Sequence, residues 1–259
     1  MTKLGQHFLI HKGAIRKIIR ALDLGEGEMV IEIGPGHGEL SLPLAGEIKK
    51  LGGKLILIEK DVKLAKELKV SAPKDTVEII WGDALRVLPG ITEGPGGYKL
   101  AGNLPYYISG YFFRTISELR NKPAKTVVMI QREVGERLCA APPKMNRLAA
   151  AVQFWGKPKI IMTLKSQDFR PAPKVDSAIV EISARTEGRS ASPEKYYPAL
   201  RALFRQPRKN ILNNLAAGET VTKKYLAEKL SGIGISPDLR SQDLSVEQIC
   251  EIAKLVIRT

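Results

Sequence analysis

The sequence predicts an α/β protein in which a doubly wound, mostly parallel sheet is followed by a small all-α domain. Short apolar runs typical of buried strands alternate with helical patterns over the first two thirds of the chain. The first such run leads directly into a glycine-rich turn and then a helix. Beyond a polar linker only helical patterns follow. These three observations predict the fold class.

The predicted elements follow one another in a regular order. Apolar residues at positions 14, 15, 18, 19 and 22 indicate a first helix. Strands are predicted at 29–33, 54–58, 77–81, 126–130 and 160–164, with one more ending near Gly102 and a last one ending at Ile182. Further helices are predicted at about 39–50, 108–119, 131–138 and 146–155. Strands that alternate with helices in this way favour a parallel sheet.

A polar segment, residues 185–193, marks the expected boundary between domains, because it contains Gly188, Ser190 and Ser192. We predict an α/β domain over residues 1–184 and a helical domain over 194–259. Helices in the second domain are expected at 195–204, 208–215, 223–230 and 246–257. Four cations in this domain form a patch suited to RNA: Arg201, Arg205, Arg208 and Lys209.

The formal net charge of +14 is unevenly distributed along the chain. Residues 1–20 contain five Lys and Arg residues and no acid, and residues 120–174 contain twelve against three acids. Local basic excess favours a polyanionic partner, because neutralised phosphates release counterions. Composition does not distinguish RNA from DNA, and a solvated basic surface is the alternative.

Several function classes receive no support from the sequence. No run approaches the ~20 apolar residues of a membrane span, and the N-terminus lacks a signal-peptide pattern, so we expect a cytoplasmic protein without membrane contact. Cys139 and Cys250 are far apart in helical sequence, so both are interpreted as packing residues. We expect no metal site.

The glycine-rich turn Gly34-Pro35-Gly36-His37-Gly38 is typical of a cofactor-binding cradle. It follows the first strand of the predicted sheet, at the end where open α/β sheets bind ligands. Glu59 ends the second strand, and an acid there can accept hydrogen bonds from both hydroxyls of a ribose. Asp83 follows the third strand and can accept a hydrogen bond from an adenine amino group. Each acid has the alternative role of a helix N-cap or surface turn residue.

The turn Asn103-Leu104-Pro105-Tyr106 has groups suited to chemistry on an extruded adenine. The Asn103 side-chain oxygen and the Leu104 carbonyl can each accept one N6 hydrogen, and the Tyr106 ring can stack on the base. Pro105 holds the turn because its φ is fixed. Phe169 is a candidate for the opposite face of the base, with a hydrophobic plug under a loop as its alternative. An ordinary strand-to-helix turn is the alternative for the whole motif.

Over almost the whole chain, an ordered set of motifs resembles the small-subunit (16S) rRNA adenine N6-dimethyltransferases of the KsgA/RsmA type. The motifs are Gly5-Gln6-His7-Phe8-Leu9, Glu32 to Gly38, Gly82-Asp83-Ala84, Asn103 to Tyr106, Pro173 to Ala178 and Phe204 to Lys209. The resemblance implies a class I S-adenosylmethionine-dependent methyltransferase domain and a C-terminal rRNA-binding domain. It also implies transfer of two methyl groups to N6 of each of two adjacent adenosines in a 3′-terminal hairpin of 16S rRNA, within the small ribosomal subunit or its precursor.

Site residues are carried over from the resemblance position by position. His7, Leu9, Gly34, Glu59, Asp83 and Asn103 match the family's contacts to S-adenosylmethionine, and we expect Gln6, Gly36, Lys60 and Ala84 to contribute beside them. Asn103, Leu104, Pro105, Tyr106 and Phe169 are the expected catalytic residues. The chain departs from the family pattern at His7 and Tyr107, where Asn is common, at Met145-Asn146, which replaces a usual Tyr-Gly, and at Pro207.

A sulfonium is already a good leaving group, so the expected reaction needs alignment and polarisation of N6 and neither a metal nor an enzyme nucleophile. Three alternatives remain open at this point. They are a large-subunit rRNA adenine methyltransferase of the macrolide-resistance type, a DNA N6-adenine methyltransferase, and a non-catalytic RNA-binding assembly or transcription factor on the same scaffold. We expect no protein partner and a monomeric chain.

Overall fold

The fold is described from a computed structural model, which covers residues 7–93, 97–217 and 222–256. The strands of these residues are β1 (Phe8–Leu9), β2 (Met29–Ile33), β3 (Lys54–Glu59), β4 (Val77–Trp81), β5 (Tyr98–Asn103), β6 (Lys125–Gln131), β7 (Gly156–Leu164), β8 (Phe169–Arg170) and β9 (Ser177–Ala184). The α-helices are α1 (Lys12–Leu22), α2 (Ser41–Lys50), α3 (Val62–Ser71), α4 (Ala84–Ile91), α5 (Ser109–Glu118), α6 (Arg132–Leu138), α7 (Arg147–Trp155), α8 (Pro193–Leu203), α9 (Ile211–Ala216), α10 (Lys223–Gly232) and α11 (Val246–Val256). Within these residues no helix has the length and apolar character to cross a membrane.

Seven strands form one sheet in the order β4-β3-β2-β5-β6-β9-β7. The strands from β4 to β6 are parallel, and β9 is antiparallel to β6. The predicted doubly wound, mostly parallel α/β sheet is therefore confirmed. Because β2, β3, β4 and β5 run in the same direction, their carboxyl ends meet at one edge.

A separate two-stranded sheet joins β1 to β8, with Phe8 opposite Arg170 and Leu9 opposite Phe169. The Ile10 backbone N–H extends this pairing by donating to the Asp168 carbonyl at 2.9 Å. The first described residues thereby lie beside the proline-rich segment that leads to β9. Gln6, one of the expected cofactor contacts, lies outside the described residues.

The chain divides into two compact units, each formed from two segments. The first unit is Met1–Glu136 with Lys157–Ala184, and the second is Arg137–Gly156 with Arg185–Thr259. The sequence-based boundaries differ from this division in one segment, since residues 137–156 were expected in the α/β domain.

Packing inside the second unit explains why residues 137–156 belong to it. The Phe154 ring stacks on the Tyr196 ring with centroids 4.0 Å apart. The Tyr196 hydroxyl donates to the Ala150 carbonyl at 3.0 Å, and Tyr196 is completely buried. Cys250 is buried in the same core. Helix α7 thus packs against the C-terminal helices.

The segment expected to be a linker is held by hydrogen bonds within this unit. The Arg185 N–H donates to the Trp155 carbonyl at 2.9 Å, and Arg189 Nε donates to the Phe154 carbonyl at 3.0 Å. The Ser190 hydroxyl donates to Glu251. The segment is therefore a connection that hydrogen bonds hold in place at Arg185, Arg189 and Ser190.

Strands β2 and β5 approach each other closely at Gly102, near the carboxyl ends of the strands. A Cβ at this position would lie 2.5 Å from the Ile33 carbonyl oxygen, which belongs to the neighbouring backbone. We expect Gly102→Ala to lower the free energy of unfolding by about 1 to 3 kcal/mol, because the strands must separate to admit the methyl group. Denaturant titration measures this change.

Gly46→Ala is the matched control, since Gly46 is exposed in helix α2 and a Cβ there meets nothing within 4 Å. We expect it to leave stability unchanged or to raise it by up to about 1 kcal/mol, because Ala is the better helix former. Equal stability of both variants and the wild type would contradict the close approach at Gly102.

Candidate functional site

A pocket lies where the carboxyl ends of β2, β3, β4 and β5 meet, with residues of the N-terminal segment also in its wall. Twelve of the expected site residues line it: His7, Leu9, Gly34, Gly36, Glu59, Lys60, Asp83, Ala84, Asn103, Leu104, Pro105 and Tyr106. Backbone hydrogen bonds hold the strand ends together, with Gly34 N–H donating to the Ile58 carbonyl at 3.0 Å and Gly82 N–H to the Glu59 carbonyl at 2.9 Å. Parallel pairing therefore brings residues far apart in sequence to one place.

The glycine-rich turn follows β2 and needs glycine for two separate reasons. Gly34 and Gly36 have φ values of +66° and +62°, in the region that side chains with a Cβ rarely adopt. A Cβ at Gly36 would also lie 2.9 Å from the Phe8 ring. Glycine at position 36 therefore lets the Phe8 ring pack closely against the backbone of this turn.

Glu59 ties the turn to the next strand. The carboxylate is 3% exposed and accepts from Gly36 N–H at 3.2 Å and from Asp61 N–H at 2.8 Å. Burial raises the pKa of this carboxyl, and these backbone hydrogen bonds counteract part of the effect. Each carboxylate oxygen has a further lone pair, so the group retains capacity to accept hydrogen bonds from a ligand.

Asp83 caps a helix and also lies in the pocket wall. Its Oδ1 caps helix α4 by accepting from Leu85 N–H at 3.0 Å, and its Oδ2 accepts from Lys60 Nζ at 2.9 Å. The hydrogen bond from Lys60 lowers the pKa of the Asp83 carboxyl, which therefore stays ionised at neutral pH. The helix-cap alternative is thus correct for Asp83, and the residue still lines the pocket.

Asn103 ends β5, and its side chain is oriented by the N-terminal segment. The Nδ2 group donates to the His7 carbonyl at 2.7 Å. A carbonyl only accepts hydrogen bonds, so this contact requires the amino group to face His7 and leaves the oxygen Oδ1 on the other side. The amide is therefore held with one acceptor directed away from the N-terminal segment.

Tyr106 begins the short 3₁₀ turn that follows Pro105. Its hydroxyl lies 2.7 Å from the Ser177 hydroxyl, and its ring stacks with the His7 ring at a centroid distance of 5.7 Å. Burial raises the pKa of the Tyr106 phenol, so it stays neutral at physiological pH. The adjacent Tyr107 is 55% exposed at the rim of the pocket.

Phe169 does not reach the pocket, so its expected place on the target base is corrected. The side chain is 2% exposed and belongs to the core that also contains Leu9 and Leu164. Its pairing with Leu9 directs it into this core. The alternative interpretation, a hydrophobic plug under a loop, agrees with its position.

Glu32 lines the pocket, although it is not among the site residues expected from the sequence. It is 1% exposed and is the residue before last in β2, where the sequence pattern indicates only a buried strand. Its Oε2 and the Ser41 hydroxyl have no hydrogen-bond partner among the described residues. A charged residue type inside an otherwise apolar strand was the available signal.

Burial raises the pKa of Glu32 to about 8, and the negative charges of Glu39 and Glu59 add to the effect. All three carboxyl groups line the pocket. A buried carboxyl without a partner is costly, and a cationic ligand would relieve that cost. The pocket is consequently suited to a ligand that carries positive charge. Among the described residues, no group of three or more His, Cys, Asp or Glu is arranged to hold a metal ion.

The chain was compared with protein-family models, with curated proteins and with solved structures. The family model for "Ribosomal RNA adenine dimethylase" matches residues 1–258 of this chain. This chain belongs to that family. It is a S-adenosylmethionine-dependent rRNA adenine dimethyltransferase.

Individual members of the family are similar to this chain over most of their length. A protein of Dehalococcoides mccartyi (strain CBDB1), named "Ribosomal RNA small subunit methyltransferase A", is 37% identical over 95% of this chain and 84% of its own. A protein of the same name in Moorella thermoacetica is 34% identical over 96% and 90%. The crystal structure of a dimethyladenosine transferase from Plasmodium falciparum matches with a TM-score of 0.78 and 25% identity, over 95% of this chain and 96% of that one.

The 23S rRNA methyltransferase ErmE has the same fold, with a TM-score of 0.71 and 23% identity over 96% of this chain and 99% of its own.

The residues of the pocket fit the family's cofactor, S-adenosylmethionine. S-adenosylmethionine carries a sulfonium and an ammonium group, and a bound cation would favour the ionised form of the buried Glu32 carboxyl, which lies in the pocket wall with Glu39 and Glu59.

The Glu32 carboxyl predicts how stability depends on pH in the chain without cofactor. Its pKa of about 8 in the folded state exceeds the value of 4.5 expected when it is solvated, so the folded chain retains a proton that the unfolded chain releases between these values. This contribution to stability is complete below pH 4.5 and is lost as the pH rises to 8. We expect Glu32→Gln to remove it.

Denaturant titrations of wild type and Glu32→Gln at pH 5, 6, 7 and 8 measure the difference. The free energy of unfolding of the wild type should fall relative to the variant by a few kcal/mol across this range, since each unit of pKa shift corresponds to about 1.4 kcal/mol. Parallel pH profiles for the two proteins would show that Glu32 is not retained as the neutral acid.

Proposed function

We propose that this chain dimethylates N6 of two adjacent adenosines in a 3′-terminal hairpin of 16S rRNA, during maturation of the small ribosomal subunit. The observation that carries the proposal is the oriented Asn103 amide, at the start of the Asn-Leu-Pro-Tyr turn, in a pocket lined by four carboxyl groups. The name "Ribosomal RNA small subunit methyltransferase A" of relatives 37% and 34% identical supports the small subunit as the source of the RNA.

In this proposal the cofactor is held by residues at the four strand ends. Gly34 and Gly36 admit its methionine portion, Glu59 accepts from the ribose hydroxyls, and Asp83 beside Ala84 accepts from the adenine amino group. Their positions in one pocket support these roles. When bound, the cofactor supplies a methyl group on a sulfonium, which is already activated for transfer.

The protein orients the target amine. Asn103 Oδ1 and the Leu104 carbonyl accept the two N6 hydrogens and make the nitrogen lone pair available for in-line attack. After the first transfer only one N6 hydrogen remains, so one acceptor is sufficient for the second. Tyr106 stacks on the extruded base, and Pro105 keeps the turn rigid.

Exposed cations of the helical unit are the proposed contacts to the rRNA backbone. Arg201, Arg205, Arg208 and Lys209 all have exposed side chains. Phosphate contacts of this kind supply affinity without reading sequence. We further propose that the chain acts as a monomer in the cytoplasm, on the small subunit or its precursor.

Transfer of labelled methyl groups to undermethylated small subunits, large subunits and duplex DNA, followed by nucleoside mass spectrometry, tests this assignment. We expect dimethyladenosine only in small-subunit RNA, at two adjacent positions. Label in the large subunit or in DNA would preserve the chemistry and overturn the proposed substrate. Bound cofactor without label on any of the three would instead favour a non-catalytic factor.

Asn103→Ala tests the proposed mechanism. We expect turnover to fall at least about a hundredfold, because loss of one preorganised acceptor typically costs about 3 kcal/mol in the transition state. Single-turnover methyl transfer measures the rate, and calorimetric titration with S-adenosylmethionine checks that binding remains measurable. Turnover close to that of the wild type would remove Asn103 from the mechanism.

A further inference from the structure

Ser177 makes a contact that links the far side of the sheet to the proposed catalytic turn. It is the first residue of β9, opposite Gln131 of β6, and it is completely buried. Its hydroxyl lies 2.7 Å from the Tyr106 hydroxyl. This contact joins two residues that are 71 positions apart in the chain.

The Tyr106 ring is consequently fixed at both ends. Its backbone follows the rigid Pro105 and the end of β5, while its hydroxyl is held by a strand of the central sheet. A ring constrained only at its backbone rotates among several rotamers. The hydroxyl contact selects one of them, and a rigid strand is a precise support for this purpose.

His7 completes the arrangement from the N-terminal segment. Its ring stacks on Tyr106, its carbonyl accepts from Asn103 Nδ2, and its Nδ1 lies 2.7 Å from the Pro171 carbonyl. The pairing of β1 with β8 holds residues 8–9 against residues 169–170. Residues 7–9 and 169–177, which we call the clamp, therefore contact both proposed catalytic side chains.

We propose that Ser177 is a positioning residue that sets the plane of the Tyr106 ring for stacking with the target adenine. The proposal rests on the stacking role assigned to Tyr106 above. Ser177 contacts Tyr106 through its hydroxyl and is completely buried, so it acts on the substrate through the ring. RNA affinity comes mainly from phosphate contacts elsewhere, so Ser177 affects the reaction step more than docking.

A double-mutant cycle tests this role, using Ser177→Ala, Tyr106→Phe and the combination of both. Each single variant removes the same hydroxyl contact, and Tyr106→Phe does so without changing the buried strand. We expect each to lower kcat about 3- to 10-fold, the effect of one neutral hydrogen bond. The double variant should be no slower than the slower single variant, because the contact is already lost.

Three further measurements separate positioning from a merely structural role. We expect KM for the small subunit and the Kd for S-adenosylmethionine to stay close to wild-type values while kcat falls, and Tm to fall by no more than about 2 to 4 °C, the effect of one lost hydrogen bond. Tyr111→Phe is the matched control, since Tyr111 is 65% exposed in helix α5 and does not line the pocket. This variant should retain wild-type kcat.

Wild-type kcat in Ser177→Ala, or losses that multiply in the double variant, would overturn the positioning role. A fall in kcat that is accompanied by a larger fall in Tm, or by a fall in cofactor affinity, would also overturn it. The variant Tyr106→Ala tests separately whether Tyr106 stacks on the target adenine, which is the assignment on which the role of Ser177 rests. Wild-type activity in Tyr106→Ala would remove the stacking role itself, whereas a loss there with no effect of Ser177→Ala would reject only the role of Ser177.

Discussion

The parallel pairing of β2, β3, β4 and β5 is the constraint on which the rest of the site depends. Each strand contributes little by itself: a glycine turn, an acid, a second acid and an amide. Only a common direction brings their ends to one edge, where side chains separated by 20 to 70 residues line one pocket. The family's chemistry then requires no dedicated domain for the cofactor, because the sheet edge provides both the cradle and the acceptors.

The pocket is rich in acidic residues, whereas the chain as a whole is basic. The pocket wall contains Glu32, Glu39 and Glu59, while the whole chain has a formal net charge of +14. A buried carboxyl interacts strongly with a nearby cation because little solvent screens the pair. Surface cations act on a polyanion over longer distances and are weakened by salt. One chain thereby attracts a cationic small molecule and an anionic macromolecule without conflict between the two.

Local patterns were sufficient to predict the sheet and most of the pocket, since apolar runs and strand-end residues are visible in the sequence. Contacts between distant segments were not predictable in this way. Phe169 resembles a stacking residue until its pairing with Leu9 places it in the core. Glu32 was not predictable as a pocket residue, because the apolar pattern of its segment indicates a strand but does not show which side chains face a cavity. The clamp is equally invisible, since residues 7–9 and 169–177 meet only in the folded chain.

The chain enters the second unit before the sheet is complete, so the two units are not independent modules that could be exchanged separately. Between β6 and β7 the chain contributes helix α7 to the helical core, where Phe154 stacks on Tyr196, and then returns to finish the sheet. A chain cut after residue 184 would retain every strand but expose the apolar face of α7. Gene fusions that exchange only the C-terminal segment between family members would mismatch the same surface. In this protein the helical unit is inherited together with an internal part of the catalytic chain.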